Sequence, residues 1–100
     1  MINTQQQLQN FLNAISGDSL LAIDTEFKRI NTYYPELCLV QIATNNFVEC
    51  IDILAIIDLK PLFEKLYNID SKWVVHSARQ DIEALFILSN RIPLSIFDTQ

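Results

Sequence analysis

Apolar side chains recur at helical spacing near the start of the chain, at Leu8, Phe11, Leu12 and Ile15. Thr4 precedes them with Gln7 three residues later, the spacing in which an N-cap hydroxyl and a glutamine satisfy each other's free backbone N–H groups. An amphipathic helix over residues 4–16 is therefore predicted, closed by Gly17-Asp18. The pattern then changes period. Leu20-Leu21-Ala22-Ile23 is a short continuous apolar run, which predicts a strand covered on both faces, and polar residues begin abruptly at Asp24. Residues 37–43 and 47–53 are rich in Val, Ile, Leu and Phe and flank Thr44-Asn45-Asn46, so they read as a hairpin and bring the antiparallel strands to three.

Residues 55–67 mix apolar and polar positions around Pro61, which predicts a turn followed by a helix with the proline in its first turn. Trp73 to Val75 reads as a brief central strand. Ser77 and Gln80 repeat the capping-box spacing and open a predicted helix over 78–89, ended near Asn90 and Pro93, and Ile96-Phe97 begins another strand. The order helix, three strands, helix, strand, helix, strand predicts an α/β layered domain with a mixed sheet flanked by helices.

Composition narrows the options. With 100 residues and 50% of them apolar, one compact domain is expected rather than two or a disordered chain. No apolar run approaches the length needed to span a bilayer, so a cytoplasmic protein with no membrane attachment is expected. A single glycine, Gly17, leaves no Walker loop and no GxGxxG fingerprint. The net charge of -5 argues against nucleic-acid binding through a broad basic surface, so divalent cations would have to supply much of the attraction to a polyanion. Cys38 and Cys50 lie in apolar, strand-like surroundings without CxxC spacing, and are expected to be buried free thiols.

The chemistry resides in three acids. Residues two apart in a strand face the same side with Cα atoms roughly 6 to 7 Å apart, so Asp24 and Glu26 would present two carboxylates together. An acidic pair at a strand end is also commonly plain solvated surface. Asp81 adds a constraint, because on its predicted helix it falls on the apolar side with Ala78, Leu85 and Leu88 and should face the sheet. Its alternative role is a first-turn aspartate favoured by the helix dipole. Hard oxygen donors suit Mg²⁺ or Mn²⁺, and a pair of such ions roughly 3.5 to 4 Å apart stabilises attacking and leaving oxygens in phosphodiester hydrolysis. His76 and Ser77 do not make a nucleophile and base, since adjacent residues at a strand-to-helix junction point apart. His76 is read as structural.

The stretch Asp24-Thr25-Glu26-Phe27, continued by Arg29, Thr32-Tyr33-Tyr34-Pro35 and Leu39 to Gln41, resembles the first exonuclease motif of the ribonuclease D family. His76-Ser77-Ala78-Arg79-Gln80-Asp81-Ile82-Glu83 resembles the second motif, and Phe97-Asp98-Thr99-Gln100 the strand that follows. The resemblance implies a ribonuclease H-like fold of the DEDD superfamily, with Asp24, Glu26 and Asp81 as catalytic metal ligands for two Mg²⁺ or Mn²⁺ ions. Phe27, directly after the acidic pair, is a candidate contact for the terminal nucleotide, although a core phenylalanine is the default reading. Asp98 would be structural. The implied activity is 3'-to-5' trimming of RNA with release of 5'-mononucleotides, and the implied substrates are transfer RNA precursors and other small structured RNAs. Residues 1–100 correspond to a partial exonuclease domain, truncated before the third motif with its tyrosine and last aspartate, so this segment alone is expected to be inactive. A proofreading-like DNA exonuclease and a non-catalytic nucleic-acid-binding domain of the same fold remain alternatives.

Overall fold

The computed structural model describes residues 1–29, 35–75 and 96–98, with side chains for 1–26 and 38–75. Helix α1 spans Gln5–Ala14 and begins as the capping-box spacing predicts. Thr4 Oγ1 accepts the Gln7 backbone N–H at 3.2 Å, and Gln7 Oε1 accepts the N–H groups of Asn3 and Thr4 at 2.9 and 3.2 Å. Its predicted apolar face is the face it buries, through Leu8, Phe11, Leu12 and the C-capping Ile15.

Strands β1 (Leu20–Arg29), β2 (Pro35–Ala43) and β3 (Val48–Asp52) run antiparallel in sequence. The β2–β3 turn forms where Thr44-Asn45-Asn46 predicts it. Thr44 N–H donates to the Phe47 carbonyl at 2.8 Å, and its hydroxyl accepts the N–H groups of Asn46 and Phe47. A 3-10 turn at Ile53–Ala55 leads to α2 (Lys60–Leu66), which has Pro61 in its first turn. Strands β4 (Lys72–Val75) and β5 (Ile96–Asp98) then join in parallel, giving one sheet in the order β3-β2-β1-β4-β5. The mixed sheet is thus as expected, with β1 at its centre, antiparallel to one neighbour and parallel to the other. The helix predicted over 78–89 lies outside the described residues.

One face of this sheet carries the core. Leu21 and Ile23 of β1, Val40 and Ile42 of β2, Ile51 of β3 and Trp73 and Val75 of β4 pack in a single cluster with Leu8, Phe11 and Leu12 of α1 and Leu62 and Leu66 of α2. The expectation that the 20–23 run is covered on both faces is corrected here. Leu20 is 50% exposed and Ala22 is also exposed, because among the described residues both helices lie on the side of Leu21 and Ile23. Ile2, in a segment with no apolar pattern, is buried as well. It makes a parallel bridge to Ile51, with Ile2 N–H donating to the Cys50 carbonyl and Asp52 N–H to the Ile2 carbonyl, both at 2.8 Å.

Trp73 ties α2 to the sheet. Its fully buried indole N–H donates to the Leu66 carbonyl at 2.7 Å, one of the carbonyls that the end of α2 would otherwise leave without a partner. Its ring lies 5.4 Å from that of Tyr67. Trp73→Phe removes the donor and leaves a buried acceptor, so it is expected to cost about 2 to 3 kcal/mol. Urea unfolding should show a lower midpoint at an unchanged slope.

Candidate metal centre

The alternation of β1 decides where its acids point. With Leu21 and Ile23 in the core, the even-numbered residues occupy the opposite face, where Asp24 and Glu26 are both exposed. Antiparallel register places Gln41 across from Asp24 and Leu39 across from Glu26, and on the far side of β2 it places Cys50 beside Gln41. Two rows therefore cross the open face, Asp24–Gln41–Cys50 and Glu26–Leu39–Asp52.

Backbone geometry fixes Asp24 further. Lys72 N–H donates to the Ser19 carbonyl at 2.7 Å, so the odd residues of β1 direct their backbone groups toward β4. The described pairing with β4 ends at Ala22↔Val74, while β1 runs on to Arg29 beside β2. The Thr25 N–H thus emerges on the side where that ladder has stopped, and it donates to Asp24 Oδ1 at 2.9 Å. One oxygen of Asp24 is engaged in this way, and the carboxylate sits midway along β1, just beyond the last described pair with the parallel strand β4.

A bulge follows immediately. Register moves from Glu26↔Leu39 to Phe27↔Leu37, leaving Cys38 as the extra residue of β2, and its thiol lies 3.4 Å from the Glu26 carbonyl as a donor. Bulges bend a strand and re-aim the side chains beside it, so the chain changes direction just past the acidic pair. Both cysteines are free, as expected, but they are half-buried rather than buried. Cys38 is displaced by the bulge, and Cys50 sits on the open face.

Asp24, Glu26, Leu39, Gln41 and Cys50 line a notch of only about 20 Å³. A neighbouring depression of about 350 Å³ is lined by Ala22, Ile23, Asp24, Gln41, Ala43, Val74 and Val75. A wider concavity of about 440 Å³ between the N-terminus, α1 and β3 contains neither acid. A divalent cation requires charge and oxygen donors rather than volume, so the small notch is the relevant feature. Among the described residues no basic side chain neutralises Asp24 or Glu26, and no third His, Cys, Asp or Glu joins them to complete a metal-binding group. Asp81, the third expected ligand, lies outside the described residues, as does the side chain of Phe27, whose backbone occupies β1 next to the bulge. Gln41 and Cys50 received no role from the sequence. Pairing the two strands across Thr44-Asn45-Asn46 and β1 would have placed both beside Asp24.

The sequence profile of a 3'-5' exonuclease family matches residues 1–100. The chain belongs to that family. Its relatives are consistent in kind. Ribonuclease D of Gluconacetobacter diazotrophicus is 42% identical over 101 residues, covering 100% of this chain and 26% of its own length. The solved structure of Escherichia coli RNase D, an exoribonuclease involved in structured RNA processing, superposes with a TM-score of 0.89 at 32% identity, over 99% of this chain and 26% of that one. Trypanosoma brucei RNase D, solved in complex with RNA U12, shares the fold with a TM-score of 0.84 at 20% identity, over 99% of this chain and 36% of its own. The chain thus spans about a quarter of the length of the curated ribonuclease D it matches. The fold expected from the resemblance is the fold of this exonuclease family, and no helix among the described residues is long and apolar enough to cross a membrane.

Proposed function

We propose that this chain carries the metal-binding sheet of a 3'-to-5' exoribonuclease that works in the cytoplasm on RNA 3' ends, transfer RNA precursors among them, and releases 5'-mononucleotides. The observation that carries the reading is the pair of exposed carboxylates, Asp24 and Glu26, on one face of β1 with no cation beside them among the described side chains, in a chain of the 3'-5' exonuclease family. The whole-chain identity to ribonucleases D favours RNA as the substrate class.

The residues present fit Mg²⁺ or Mn²⁺, because the donors are carboxylate oxygens and no thiolate–imidazole set competes for a softer metal among the described residues. Asp24 and Glu26 would hold the metal, together with Asp81 from the helix predicted over 78–89. When bound, two such ions supply an activated water and neutralise charge on the scissile phosphate. The protein's own part is positional. Thr25 N–H holds the Asp24 carboxylate midway along β1, and the two-residue period of the strand sets its spacing to Glu26. Phe27 follows Glu26 directly in β1, beside the bulge at Cys38, and we assign it a contact with the terminal nucleotide.

The test uses the full-length protein and matched 3'-extended RNA and DNA oligonucleotides with Mg²⁺ or Mn²⁺. Release of 5'-mononucleotides from RNA, faster than from DNA and abolished by EDTA, is the expected result. Faster trimming of DNA would replace this reading with the proofreading-like one. Binding of RNA without hydrolysis would leave the non-catalytic one.

A further inference from the structure

We propose that Gln41 is a positioning residue for Asp24, placed so that its side-chain N–H₂ turns to donate to the carboxylate oxygen that Thr25 does not hold. The inference rests on the assignment of Asp24 as a metal ligand. Gln41 stands directly across from Asp24 in the antiparallel ladder, on the same open face, and it is exposed. Side chains paired in this way have Cβ atoms about 4.5 to 5.5 Å apart, within reach of a glutamine arm that rotates freely at the surface. The small notch and the 350 Å³ depression beside it share two lining residues, Asp24 and Gln41, so this pair forms the ridge between them.

The chemistry of the neighbours singles out Gln41. Of the described residues lining both hollows, it alone carries an amide, and the others offer carboxylates, a thiol or apolar groups. The Gln41 amide is bonded to no described group, Asp24 included, so it is free to turn toward that carboxylate. Asp24 Oδ1 is already engaged by the Thr25 N–H at 2.9 Å, which leaves the other oxygen to be oriented from across the strand. A glutamine suits the task because it donates without bringing a positive charge. A lysine or arginine at the same register would neutralise the carboxylate and compete with the cation. Carboxylates that bind metals are themselves usually hydrogen-bonded, and removing that outer partner typically lowers metal affinity about 10- to 100-fold.

The experiment is a Mn²⁺ titration of the full-length protein followed by electron paramagnetic resonance of the free ion, run on the parent, Gln41→Leu, Gln41→Asn and Asp24→Asn, with the exonuclease rate measured against Mn²⁺ in parallel. Gln41→Leu keeps comparable bulk and loses the amide. It is expected to raise the Mn²⁺ midpoint about 10- to 100-fold with an unchanged melting temperature, and saturating Mn²⁺ should restore most of the rate. Gln41→Asn, shorter by one methylene but still a donor, should fall between the two. An unchanged Mn²⁺ midpoint in Gln41→Leu while Asp24→Asn loses Mn²⁺ would overturn the role of Gln41 and leave the metal assignment standing. Unchanged Mn²⁺ binding in Asp24→Asn would remove the metal assignment, and the role of Gln41 with it.

Discussion

Asp24→Asn in the full-length protein is expected to lower the exonuclease rate by on the order of a thousandfold while leaving the fold intact. Charge stabilisation by a bound metal is worth several kcal/mol in the transition state, and each 1.36 kcal/mol is tenfold in rate. The amide retains the size of the carboxylate and can still accept the Thr25 N–H through its oxygen, so β1 has no reason to rearrange. Stability should hold or rise slightly, since Asp24 and Glu26 are like charges on one strand face with no described cation between them. The same reasoning applies to Glu26→Gln. Because the two carboxylates would act on one bound centre, their losses should not add, and the double variant should be scarcely slower than the worse single one. Additive losses, or a rate within threefold of the parent in Asp24→Asn, would show that the acids are ordinary solvated surface. Rates for the three variants beside thermal melts decide the matter.

What could be read from the sequence was local. The capping box at Thr4 and Gln7, the apolar face of α1 and the Thr44 turn each depend on residues within four positions of one another, and each appears in the fold where its spacing placed it. The same-face placement of Asp24 and Glu26 follows from the two-residue period of any strand, so it too could be read before the fold was known. Features that depend on distant partners could not. The 20–23 run looks two-sided because Leu20 and Ala22 are apolar, yet their exposure depends on which side α1 and α2 pack. Burial of Ile2 depends on a single bridge to Ile51, about fifty residues away in sequence. The bulge at Cys38 is a mismatch in length between two strands, invisible in either alone, and it is the reason Cys38 is not in the core.

That distinction bears on Asp81, whose role rests on helical periodicity and on the resemblance of residues 76–83 to the second exonuclease motif. As a metal ligand and as a first-turn aspartate favoured by the helix dipole, it makes opposite demands on one substitution. Asp81→Asn removes the charge and keeps the shape. If the carboxylate serves the helix dipole, its loss costs about 0.3 to 1 kcal/mol of stability and nothing in chemistry. If it binds metal from the helix predicted over 78–89, the full-length enzyme should lose roughly as much rate as Asp24→Asn, again on the order of a thousandfold. Stability should then hold or improve, because an ionised carboxylate turned toward the sheet is costly when no cation offsets it. We expect the second result, with a Mn²⁺ midpoint raised in the same paramagnetic resonance titration. A lower melting temperature with an intact rate would return Asp81 to the helix dipole and leave Asp24 and Glu26 without their third partner.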